Sequence, residues 1–199
     1  MLGVCSMKKS NAEDFEIWTF VGAGTEWKSM EFGLSNANFF VPENGHFLNF
    51  TQLSLDFVSK NSFSFGAAYK QEYVKFPQYT RAEYRPMLHL FYTKEFGAFE
   101  FRDRNRWEFR IIDGELVNRY RNQLQLAYLK LKAFTPYLST EFFFYVKQLD
   151  YARQRTLLGI DIPVKSVNIN LFGGYQVNED APDQWGERYL LGTSLNYTF

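Results

Sequence analysis

The chain has 199 residues, with Lys+Arg 22 against Asp+Glu 22 and an aromatic content of 20%. That length suits one domain, and a formal charge of zero gives no electrostatic footprint for nucleic acid. No apolar run approaches the 18 residues that a spanning helix needs, yet the mean hydropathy of -0.34 leaves a transmembrane barrel open, because its polar lumen residues alternate with lipid-facing ones.

Residues 1–13 are expected to be a disordered N-terminus or the remnant of an export signal. Met1 to Cys5 is apolar and is followed by Lys8 and Lys9, whereas a secretory signal has a basic start and a longer apolar core. Cys5 is the only cysteine, which excludes an internal disulfide and a thiolate metal site. It also follows Leu2-Gly3-Val4 in the manner of a lipoprotein cleavage box, with Val4 where a small residue is wanted.

Residues 14–199 read as strand after strand, with no 3.6-residue apolar period. The segments are Phe15 to Ala23, Trp27 to Ala37, Leu48 to Val58, Ser62 to Val74, Arg81 to Thr93 and Ala98 to Ile111. They continue with Leu116 to Leu131, Pro136 to Lys147, Tyr151 to Ile162, Ser166 to Gln176 and Arg188 to Thr198. Most suffice to cross a bilayer core, for which a tilted strand needs about 9 to 11 residues. Short links at Lys60-Asn61, Glu95-Phe96-Gly97, Ala133-Phe134 and Val164-Lys165 alternate with longer, more polar ones, among them Phe40 to His46 and Val177 to Glu187. Short periplasmic turns and longer outer loops are a habit of outer-membrane barrels. Aromatics near strand ends, for example Phe39, Phe40, Tyr73, Phe76, Tyr79, Trp185 and Tyr189, suggest interfacial girdles.

The sharpest local signal is Asp113-Gly114 between two alternating runs, a type I′ hairpin turn that needs positive φ at both central residues. It pairs Ile112 with Glu115, and so Glu108 with Arg119, Trp107 with Tyr120, Arg106 with Arg121 and Asn105 with Asn122. One face carries the charges and the other Phe99, Phe101, Trp107, Phe109 and Ile111. Turned inward, the charged face places Glu83, Arg85, Arg102, Arg104, Arg106, Glu108, Arg119, Arg121, Glu141 and Arg153 in a lumenal cluster. Inward charges over all strands nearly balance in sign, which points to a salt-bridge ladder filling a narrow lumen, with an anion-attracting passage or pocket as the alternative. A soluble lipocalin-like barrel would instead turn the aromatic face inward.

The chain ends Leu195-Asn196-Tyr197-Thr198-Phe199, which resembles the C-terminal signature that the barrel-assembly machinery recognises in bacterial outer-membrane proteins, with Leu195, Tyr197 and Phe199 as the signal residues. With Phe101 to Arg110, Asn118 to Leu124, Thr135-Pro136-Tyr137 and Glu141-Phe142-Phe143, the chain resembles a bacterial outer-membrane barrel family catalogued only as a domain of unknown function. The resemblance implies a closed antiparallel transmembrane β-barrel of ten to twelve strands with an Arg/Glu-lined interior, in contact with outer-membrane lipid, and it supplies no catalytic residues. Eleven segments conflict with the even strand number of bacterial barrels, so either Phe15 to Ala23 lies outside the sheet or one more strand exists. Asp103 and Asn105 fall on the lipid face, where a bulge, a protonated acid or a protein partner is expected to cover them.

No cofactor, metal spacing or phosphate loop is present in the sequence. An enzyme acting on lipid or envelope polymer needs a nucleophile and base in reach. Only His46, in a loop beside Glu43, and the inward His89 are available, and neither is assigned a catalytic role.

Overall fold

A computed structural model of the chain describes residues 15–42, 45–59, 62–147, 150–181 and 184–199. The expectations for residues 1–13 and Cys5, the acid Glu43 and the link Lys60-Asn61 lie outside these residues. Eleven strands follow in order: β1 (Phe15–Trp27), β2 (Met30–Val41), β3 (Gly45–Phe57), β4 (Phe63–Lys75), β5 (Thr80–Phe96), β6 (Phe99–Ile112), β7 (Glu115–Tyr128), β8 (Thr135–Tyr145), β9 (Asp150–Val164), β10 (Val167–Ala181) and β11 (Gln184–Thr198). Each strand pairs antiparallel with the next, and β1 closes on β11 as a parallel pair running from Phe15↔Tyr189 to Gly24↔Thr198.

The sheet is therefore a closed barrel of odd strand number, which corrects the parity expectation. β1 is part of the wall, and no twelfth strand is needed. Each hairpin reverses chain direction, so an odd count leaves the first and last strands pointing the same way, and a parallel ladder with evenly spaced, slanted bonds can join them. The upper rim carries the Asp113–Gly114 turn and Phe15; the lower rim carries the Lys28–Ser29 turn and Phe199.

The Asp113–Gly114 turn has φ of 51° and 87° and joins Ile112 to Glu115, and the predicted pairs down to Asn105↔Asn122 all form. The expected contrast in loop length does not appear. At the upper rim β2 reaches Val41 before β3 begins at Gly45, and β10 reaches Ala181 before β11 begins at Gln184, while a longer gap, between Tyr128 and Thr135, lies at the lower rim. The polar stretch after Gln176 keeps its alternation, with Gln176 and Asn178 buried inside, and so continues the ladder.

Alternation divides the wall into two faces of opposite chemistry. Inside, Glu83 and Glu108 are 0% exposed; outside, Leu158 is 67% exposed and Val21, Leu34, Leu53, Leu138 and Leu191 are likewise open. Trp27, Phe63, Phe96 and Tyr197 lie outward near the lower rim, and Tyr73, Tyr79, Trp185 and Tyr189 near the upper, with the aliphatic band between them. Phe39 is not part of a girdle. It points inward and is buried in a cluster with Trp18, Phe50, Phe172 and Leu190. A bulge in β3 adds to that cluster: Phe40 pairs His46 and Phe39 pairs Leu48, so Phe47 is extra, and both Phe47 and Leu48 pack against the cluster. The lumen thus has an aromatic wall on β1 to β3, β10 and β11, and a charged wall on β4 to β9.

Candidate functional site

The register determines which inward side chains meet on the charged wall. From β5 to β9 one row is His89, Arg106, Arg121, Phe143 and Arg153; the row below it is Phe91, Arg104, Gln123, Glu141 and Arg155. Above them Met87, Glu108, Arg119 and Tyr145 form a third. Guanidinium groups are long enough to reach between rows, and the rows interlock through carboxylates.

Glu83 takes a forked contact from Arg110, Nε to Oε1 at 2.6 Å and Nη2 to Oε2 at 2.9 Å, and a third bond from Arg85 Nε at 2.7 Å. Glu72 pairs with Lys70 at 2.7 Å and Arg85 at 3.2 Å. Glu108 accepts from Arg119 Nε and Arg121 Nη1, both at 2.7 Å. Glu141 accepts from Arg121 Nη2 at 2.6 Å, Arg104 Nη2 at 3.1 Å and Arg155 Nη1 at 3.4 Å. Charge-assisted bonds of this kind are about twice as strong as neutral ones, and the two-point Arg110–Glu83 contact also fixes orientation. Seven cations share four carboxylates in this network.

The near balance of charge expected for the interior therefore does not hold at its centre. Several of the acids counted as inward, among them Glu31, Glu100 and Asp161, lie toward the lower rim, and Glu31 is exposed there. Alternation in a sequence assigns a face but no depth. Three arginines have no carboxylate partner among the described residues; one, Arg81 near the upper rim, lies over the Phe76 ring, 5.2 Å from the centroid. Arg106 is 9% exposed and its Nε is buried without a hydrogen-bond partner. Arg153 lies over the Phe143 ring, 5.4 Å from the centroid. Phe143 also carries Arg121 at 4.6 Å, Arg119 at 5.2 Å and Arg155 at 5.3 Å, so one buried ring serves as a cation–π platform for four guanidinium groups. Arg155 bridges the two walls, since it also sits 4.4 Å from the Trp18 ring.

Arg102 is the outlier of the predicted cluster, half exposed near the lower rim and paired with Glu100 at 3.4 Å. Arg110, Arg155, Lys70 and Glu72 join the network by the same alternation that placed the others. Glu16 and Arg188, paired at 2.9 Å across the seam, are absent from the predicted cluster, because the sequence does not show that the first and last strands meet. The alternation Glu16, Trp18, Phe20 was the available signal.

A cavity of about 690 Å³ runs along the lumen between the two walls. It has room for roughly twenty waters at ~30 Å³ each, the remnant of an interior that side chains otherwise fill. His89 is buried, with Nε2 2.8 Å from Asp56 Oδ1 but neither ring nitrogen in hydrogen-bond geometry. Gly66 stands between them in the same row, and a Cβ there would collide with the Asp56 carboxylate, so only glycine allows the approach. His46 is exposed on β3 beside Phe40. Among the described residues no group of three His, Cys, Asp or Glu side chains is placed to hold a metal ion.

On the outer face, Asp103 Oδ1 accepts from Asn122 Nδ2 at 2.6 Å and Asn105 Nδ2 at 3.0 Å, and Tyr120 donates to Asn105. Neighbouring amides thus occupy the carboxylate oxygen, and the ladder shows no bulge there. Leu195 and Tyr197 point outward, and Phe199, 80% exposed, donates its N–H to Gly24 O at 3.0 Å beyond the end of the seam.

Comparison with curated proteins finds no match. A family model described as a protein of unknown function (DUF2490) matches residues 27–187, from the end of β1 into β11 and across the whole charged wall, and the chain belongs to that family.

Proposed function

We propose that this chain is an outer-membrane β-barrel whose lumen is closed by its own side chains, acting as a structural element or narrow channel and not as an open diffusion pore. The observation that carries the location is the inverted polarity of a wall without edges: carboxylates and guanidinium groups buried within, leucines and aromatics outside. In water such a surface would drive association, whereas in a bilayer it is the matched face, and turning one arginine to lipid at the midplane would cost about 2–4 kcal/mol. The strands, 11 to 17 residues long, exceed the roughly 9–11 needed to cross. The closed lumen is supported by the aromatic cluster on one wall and the ion-pair network on the other. Outer-membrane lipid and the barrel-assembly machinery are the partners this implies. Cell fractionation should find the chain in the outer-membrane fraction, extractable with detergent only, and the purified protein in planar bilayers should show little or no conductance. Recovery in the soluble fraction would overturn the location; a large steady conductance would overturn the closed lumen.

A further inference from the structure

The centre of the lumen has more positive charge than its own carboxylates neutralise, and a line of arginines leads to it from the lower rim. Arg102, Arg104 and Arg106 stand on one face of β6 in steps of about 6.6 Å. Their side chains pass from 47% exposed at Arg102, through 24% at Arg104, to the buried Arg106. Opposite them on β7 stand Gln125, Gln123 and Arg121, so the amides beside the first two arginines offer hydrogen bonds and no negative charge. All six line the cavity. The lower mouth is the open one: the inward-facing Glu26, Glu31 and Asn196 are exposed there, while Glu16, Val41, Glu72 and Glu83, toward the upper rim, are buried. Glu26 and Glu31 belong to β1 and β2, across the lumen from β6.

At the inner end of this path Arg106 lines the cavity, and its buried Nε has no hydrogen-bond partner. A desolvated guanidinium without a counter-charge is strongly destabilising, and the other cations lining the cavity have a carboxylate or, for Arg153 and Arg81, an aromatic face. Arg104 gives one Nη2 to Glu141, which it shares with Arg121 and Arg155, and keeps further donors free.

We infer that the lower lumen binds a small phosphate-class oxyanion, inorganic phosphate or the head of a phosphomonoester, held by Arg106 and Arg104 and reached from the lower rim past Arg102. Guanidinium forks match the paired oxygens of phosphate, which a spherical chloride does not present. The inference rests on the closed lumen of the proposed function, since the anion is bound where an open pore would pass it.

The test is calorimetric titration of the purified full chain in non-ionic detergent with inorganic phosphate, against sodium chloride at equal ionic strength. One-to-one saturable binding to phosphate is expected, with the unfolding midpoint rising roughly 5 °C at a hundredfold excess over Kd. Arg106→Gln should weaken binding at least tenfold and still fold, because it breaks no ion pair; Arg104→Gln should weaken it severalfold. Glycerol phosphate binding as tightly as inorganic phosphate would identify the monoester head as sufficient, and tighter binding of the inorganic ion would identify the free ion as the ligand. Equal effects of chloride and phosphate, or unchanged affinity in both variants, would overturn the site. Binding is read in detergent, so its failure is distinct from soluble recovery in fractionation or from a large conductance.

Discussion

Glu141 holds three guanidinium groups with one carboxylate that is 5% exposed, so its charge is the hinge of the network. Glu141→Gln keeps the shape and removes the charge. It should lower stability by about 3 kcal/mol, read as an earlier urea midpoint, because buried cations lose their partner. Glu31→Gln, at the exposed rim, should leave the midpoint in place; equal shifts in the two variants would show that burial confers no extra weight on Glu141. Which residues face inward was legible from alternation alone, down to Glu83, Glu108 and Glu141. Which carboxylate meets which arginine was not, because partners such as Arg104 and Glu141 are two strands apart and meet only when β7 lies between them. Phe39 shows the other failure. Near a strand end an aromatic suits a girdle or a core equally, and only its shared face with the buried Ala37 assigns it to the lumen.

Among the elements, the β6–β7 hairpin was readable in full, since a two-residue turn with positive φ at both positions ties register to two residues. A Cβ on Gly114 would meet nothing within 4 Å, so any penalty for a side chain there comes from the backbone, at φ of 87°. Gly114→Val should therefore cost about 1–2 kcal/mol and reduce the yield of folded, heat-modifiable barrel, while Gly114→Asn is tolerated. Equal yields of both variants would show that the turn does not control folding. The β1–β11 seam was illegible for the opposite reason: it joins the first strand to the last, 174 residues apart at Phe15↔Tyr189, with no local chemistry to announce it. Loop lengths misled in the same way, because polarity marks a loop only where alternation stops.

At the scale of the whole barrel, the C-terminal residue contributes little to the finished wall. Phe199 is exposed, and among the described aromatics its ring meets only Tyr197, edge to face. Phe199→Ser should therefore reduce the amount of barrel inserted in the outer membrane while leaving the unfolding midpoint of the inserted fraction unchanged. Full insertion of the variant would remove the assembly signal from the account of this strand. The parallel seam has a consequence for the chain as a thread. In an even-stranded barrel the two ends lie side by side at one rim, so a short peptide can tie them and the backbone can be reopened at any turn. Here Phe15 and Phe199 lie at opposite rims, and a tie between these two residues would need about ten extended residues laid down the apolar outer wall or drawn through the packed lumen, where an even-stranded barrel needs only a short turn.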